Sequence, residues 1–148
     1  MKSIDTLVKD IYDLFDPLVE VDLNEKEVDA HLDSFTESIK ETLRNFLNEV
    51  PLKKRNLRLS AIGKPARQLW YDKFSPKETK EYDASNNLKF LYGHIIEHLL
   101  LYLTELAGHK VEDRQMKVKV DDVKGHIDAK VDGEICDVKS ASPFSFKK

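Results

Sequence analysis

Asp137 and Lys139 stand two residues apart in one alternating run, and Asp128 stands in another run just upstream. Between the runs lies Asp132-Gly133, the strongest short-range hairpin signal a sequence offers. A two-residue turn there sets Val131 opposite Glu134; counting outward pairs Asp128 with Asp137 and His126 with Lys139. Alternation then puts His126, Asp128, Asp137 and Lys139 on one face of the two strands. Opposed Cβ atoms lie about 4.5–5.5 Å apart, so two carboxylates would repel each other unless something neutralised them. Mg²⁺ suits that need, since it binds through one or two carboxylates plus waters and substrate phosphate. Mn²⁺ is expected to substitute for it. The backbone carbonyl of Val138 offers a further hard oxygen. The Lys139 ammonium beside such a cation can lower the pKa of an attacking water or stabilise charge growing on a phosphate. Together these groups make up the equipment for phosphodiester hydrolysis.

Glu97 adds a third carboxylate. It stands in the apolar stretch Ile95–Leu103, with Gly93 and Leu101 one turn away on either side. A carboxylate on so apolar a helix is costly to bury unless it is paired or bound to a cation. The alternative is a partly exposed residue at the edge of the apolar stripe. Gly93 admits either a close approach by another backbone or ligand, or tight helix packing.

Composition sets bounds on what surrounds these residues. The 148 residues are 41% hydrophobic and 34% charged, which suits one soluble domain with a real core. Apolar runs are too short to cross a bilayer, so no membrane association is expected. A signal peptide is not expected either, and a reducing cytoplasm fits best. Cys136 is the single cysteine, so neither a disulfide nor a cysteine zinc site nor an iron–sulfur cluster can form within the chain. Charge is unevenly spread. Residues 1–50 carry 5 Lys and Arg against 13 Asp and Glu, whereas residues 51–80 carry 9 against 2. The basic stretch is open between a polyanion-facing surface and a merely solvated loop.

The elements that must position the site follow from periodicity. Ile4, Leu7, Val8, Ile11, Leu14 and Phe15 predict a helix over 3–15, stopped by Pro17. A second helix starts near Asn24 and buries Val28, Leu32, Phe35, Ile39, Leu43, Phe46 and Val50. The segment 51–83 reads as basic loop with a short helix near Ala66–Tyr71. A third long helix is capped by Ser85 and closed by Gly108, with Leu88, Tyr92, Ile95, Ile96, Leu99, Leu103 and Leu106 as its apolar side. Beyond Gly108 the period becomes 2. Strands are expected at Met116–Val120, Val123–Val131 and Glu134–Ala141, with Asp121-Asp122 as a turn. The whole reads as one α/β domain: a helical region at 1–50, a basic loop at 51–83, and a catalytic helix and small mixed sheet at 84–148.

At three places the chain resembles the RecB-like and phage-exonuclease branch of the PD-(D/E)XK nuclease superfamily. They are Gly93-His94-Ile95-Ile96-Glu97, Gly125-His126-Ile127-Asp128 and Asp137-Val138-Lys139-Ser140. The segment from Arg58 through Lys64-Pro65-Ala66-Arg67 to Trp70-Tyr71 is similar to one that precedes the glutamate helix in such nucleases. The likeness spans roughly residues 58–142. It implies a restriction-endonuclease-like core, metal binding by Glu97, Asp128 and Asp137, and Lys139 as the catalytic lysine. It also implies DNA contacts from Arg58, Arg67, Trp70 or Tyr71, with His126 and Ser140 beside them. Core packing weighs more heavily for Trp70 and Tyr71. Arg67 is open between a phosphate contact and a surface ion pair. His126 is open between orienting a water or phosphate and no role.

The family continues past its Asp-x-Lys strand with more strand and helix, often carrying Gln-x-x-x-Tyr. Here the sequence ends at Lys148, so the expectation is either a fragment or a sheet completed by a protein partner or self-association. The implied activity is metal-dependent exonuclease cleavage of DNA in phage or bacterial DNA processing. A structure- or site-specific endonuclease using the same residues, and a non-catalytic DNA-binding or assembly subunit, are the alternatives.

Overall fold

The computed structural model of the chain describes residues 2–48, 59–74, 84–121 and 123–140. A 3-10 turn at Ile4–Thr6 leads into helix α1 (Leu7–Asp13). Helix α2 spans Glu25–Asn48, as its apolar spacing predicts. Asn24 starts it: its Oδ1 accepts the Lys26 amide at 3.1 Å, and its carbonyl accepts the amides of Glu27 and Val28. Helix α3 runs Ala66–Phe74 and α4 runs Ala84–Leu106. Ser85, expected at its start, falls in the first turn of α4.

Helices α2 and α4 pack along their lengths. Phe35 stacks on Tyr102 with ring centroids 5.1 Å apart, Phe46 meets the His94 ring edge-on, and Thr42 Oγ1 lies 3.0 Å from His98 Nε2. Val28, Phe35, Ile39 and Phe46 are half-buried by this packing, whereas Leu32 and Leu43 stay exposed. Val50 lies outside the described residues. On α4 the expected apolar side is not the deepest one. Leu88, Tyr92, Ile96 and Leu99 are exposed, and the fully buried line is Glu97, Leu101 and Thr104. Nearly every side of α4 is apolar, so spacing alone could not say which one meets the sheet.

At its end α4 closes as expected on Gly108, which takes the left-handed φ of +79°. The Gly108 amide donates to the Glu105 carbonyl and the His109 amide to the Thr104 carbonyl, the paired bonds of a Schellman cap. The chain then enters β1 (Val111–Glu112), β2 (Met116–Val120), β3 (Val123–Ile127), β4 (Ala129–Val131) and β5 (Glu134–Cys136). Strand β1 was not legible in the sequence.

Among the described residues two antiparallel sheets form, β1-β4-β5 and β2-β3, where a single mixed sheet was expected. The Asp132-Gly133 turn forms with φ of +51° and +92°, and Val131 faces Glu134 as the count from that turn requires. The predicted strand Val123–Val131, however, splits at Asp128, its halves joining different sheets. His126 thus pairs with Lys117 of β2, not with Lys139. The predicted strand Glu134–Ala141 stops pairing at Cys136, opposite Ala129.

The densest packing lies where the end of α4 meets β4, among Leu101, Ala107, Ala129 and Val131. His109 is buried there between two carboxylates. Its Nδ1 is 2.6 Å from Asp132 Oδ2 and its Nε2 is 3.2 Å from Asp10 Oδ2. Lys2 reaches Asp10 at 3.0 Å and also donates to the Ala107 carbonyl. The first helix is thereby tied to the hairpin that carries the candidate site. Among the described residues no helix is long and apolar enough to cross a membrane.

Candidate catalytic site

Glu97 is 6% exposed, which decides between the two readings of its sequence position. Burial holds its carboxyl above the ordinary 4.5, and the negative charge of Asp128 pushes the same way. Opposing that, the Gln115 side-chain amide donates to Glu97 Oε1, and His94 Nδ1 lies 3.6 Å from Oε2. His98, on the α2 side, is held below the usual imidazole value by burial first and by the charge of His94 next.

Asp128 occupies the break between β3 and β4. Its Oδ2 accepts the Val138 amide at 2.7 Å, and its backbone carbonyl accepts the Gln115 amide at 2.9 Å. The sequence suggested a direct opposition of Asp128 and Asp137, and the structure corrects it. The ladder ends one pair short of them, the Asp128 carboxylate takes a backbone donor, and Asp137 turns to Lys139. Like charges gain by this, since each carboxylate finds its own partner. Val138 touches the site through its N–H, which Asp128 accepts.

The Lys139 ammonium sits 2.7 Å from the Asp137 carboxylate, with both side chains exposed. Its pKa is held above the ordinary 10.5 by the bond to Asp137, and by the charges of Asp137, Asp128 and Glu97. Lys139 thus lies within the field of all three carboxylates. A Cβ on Gly93 would stand 3.9 Å from the Ser140 hydroxyl, so the segment after β5 runs past α4 one turn before Glu97.

The upstream segment reaches the sheet through Leu59, in a 3-10 turn at Leu59–Ala61. A Cβ on Gly125 would stand 2.6 Å from Leu59 Cδ1, so only glycine admits this contact. Trp70 and Tyr71, expected to favour the core, are 56% and 44% exposed. They meet edge to face at 5.2 Å, and the Arg67 guanidinium lies over the Tyr71 ring at 5.8 Å. His126 is exposed on β3. Arg58 lies outside the described residues.

Among the described residues no three His, Cys, Asp or Glu side chains converge closely enough to hold a metal ion. The donor set still suits a hard cation in type. Glu97 is a carboxylate whose ionisation is made costlier by burial and by the charge of Asp128, and Mg²⁺ needs only one or two such ligands. Gln115 escaped the sequence reading, because a glutamine in a loop carries no periodic or charge signal. Comparison with protein-family models, curated proteins and solved structures finds no match to this chain.

Proposed function

We propose that this chain is a divalent-metal-dependent nuclease that hydrolyses DNA phosphodiesters, acting as an exonuclease in phage or bacterial DNA processing. The observation that carries the reading is the buried carboxylate of Glu97, set within the field of Asp128 and of the Lys139 ammonium. Glu97 and Asp128 are the residues to hold the cation, with Asp137 beside them. A bound Mg²⁺ supplies positive charge to the scissile phosphate and acidifies water. Lys139 stabilises charge developing on the phosphate. An exposed ion pair such as Lys139–Asp137 is worth only about 0–1 kcal/mol, so releasing the ammonium toward a substrate costs little. Arg67 and the exposed rings of Trp70 and Tyr71 are suited to the phosphate backbone and base faces of DNA.

A DNA-binding subunit without catalysis is the second reading, favoured by the Asp137–Lys139 pairing and by the separation of the three carboxylates. The test is cleavage of linear duplex and single-stranded DNA with Mg²⁺ or Mn²⁺, wild type against Lys139→Ala. A nuclease cuts only with metal and loses cutting in the variant. A binding subunit cuts nothing and is indifferent to Mg²⁺. Closed-circular DNA separates an endonuclease from an exonuclease.

A further inference from the structure

Gln115 is joined both to the buried Glu97 and to the half-buried Asp128. Its side-chain amide donates to Glu97 Oε1 on α4, and its backbone amide donates to the Asp128 carbonyl at 2.9 Å. It does this from a left-handed φ of +50°, a region that a long side chain such as glutamine seldom occupies. Asp113, two residues earlier, is also left-handed at +52°. The loop is fastened from outside as well. Lys130 of β4 pairs with Asp113 at 2.7 Å, and the Asp113 carbonyl accepts the Met116 amide at 3.2 Å. A backbone held in an unfavourable conformation by several independent contacts often serves a site, and here it aims one amide at each acidic residue.

We infer that Gln115 is the positioning residue of the proposed metal centre, and the inference rests on that reading of the site. Donation to Oε1 fixes the rotation of the Glu97 carboxylate and holds its other oxygen, Oε2, toward His94 Nδ1 at 3.6 Å, where a cation would have to displace only that long contact. The backbone bond sets Asp128 against the same loop, so one residue spaces the two ligands. The choice of an amide is chemically specific. Lysine or arginine here would neutralise the negative charge that attracts the cation, whereas glutamine donates a hydrogen bond and leaves that charge intact.

The test is Mn²⁺ titration of the full chain, with metal-free thermal unfolding measured alongside, for wild type, Gln115→Met and Gln115→Gly. Methionine keeps the length and removes the donor. Glycine also removes the donor and relieves the left-handed backbone. Both variants are expected to bind Mn²⁺ about 10- to 100-fold more weakly. Metal-free melting should fall modestly for Gln115→Met, which takes a donor from buried Glu97, and by less for Gln115→Gly, which also relieves the left-handed backbone. Wild-type affinity in either folded variant overturns the positioning role and leaves the metal centre standing. Weakened binding matched by a collapse of metal-free melting in both variants assigns Gln115 to the fold alone and also overturns it. Absence of Mn²⁺ binding by wild type removes the metal centre itself, and the inference with it.

Discussion

The carboxylate of Asp128 accepts the backbone amide of Val138 at 2.7 Å, binding the break between two sheets to the segment that carries Lys139. One acidic side chain thus does structural work at the point where chemistry is proposed. Asp128→Ala would leave that part-buried amide without its acceptor, at a cost of about 1–3 kcal/mol. Asp128→Asn keeps an oxygen acceptor and should cost less. Urea unfolding of the two variants checks the order, and equal stabilities would count against it.

Gly125→Ala should destabilise by about 1–3 kcal/mol, because the new methyl meets Leu59 well inside contact distance. The strain should fall in part when Leu59→Ala removes Cδ1 and Cγ, and further with Leu59→Gly, because the Leu59 Cβ itself lies 2.8 Å from the new methyl. A double-mutant cycle in thermal unfolding should therefore show coupling that favours the pair. Additive losses would mean that the 3-10 turn does not rest on β3 in solution.

Much of this arrangement was legible in the sequence, and the exceptions have physical causes. Asp132-Gly133 fixed its hairpin because both turn positions take positive φ, and Gly108 marked the end of α4 for the same reason. The break at Asp128 was hidden. From Val123 to Val131 small or apolar residues alternate with Lys124, His126, Asp128 and Lys130 without interruption, so period 2 runs straight through the split. The buried side of α4 was hidden by too much hydrophobicity, not too little. Glu97 nonetheless stood out, since a lone carboxylate amid apolar neighbours must be either exposed or engaged.

His109 should be a main support of the fold. Its removal by His109→Ala empties a buried site and takes one partner each from Asp132, which keeps the Lys110 amide, and from Asp10, which keeps Lys2, so stability should fall. The hydrogen bond from His109 holds the Asp132 carboxyl below its ordinary 3.8. A depressed carboxyl contributes stability that is present above its unfolded value and lost as pH falls through the folded one. Melting temperature should therefore decline as pH drops below about 4, and Asp132→Asn should flatten that part of the profile. An unchanged acid limb in the variant would remove Asp132 from the explanation.

Glu97 should show the opposite sign in the absence of metal. Burial raises its folded pKa above 4.5, so its contribution is most favourable below that value and is lost as pH rises through the folded one. Glu97→Gln keeps an acceptor for Gln115 and should be more stable than wild type at neutral pH in EDTA. Excess Mg²⁺ should reverse the ranking, adding about 2.7 kcal/mol to wild type at a hundredfold excess over Kd and little to the variant. Differential scanning calorimetry with and without Mg²⁺ measures both effects. A variant less stable than wild type in EDTA would contradict the first.

The most direct test of the proposed chemistry is DNA cleavage by wild type and Lys139→Ala under Mg²⁺ or Mn²⁺, on linear duplex and single-stranded substrates. Wild type is expected to cut only with the metal, and cutting is expected to disappear in a variant that still folds. A folded wild type that leaves DNA intact with either metal, or a Lys139→Ala variant that cuts at the wild-type rate, would contradict that chemistry.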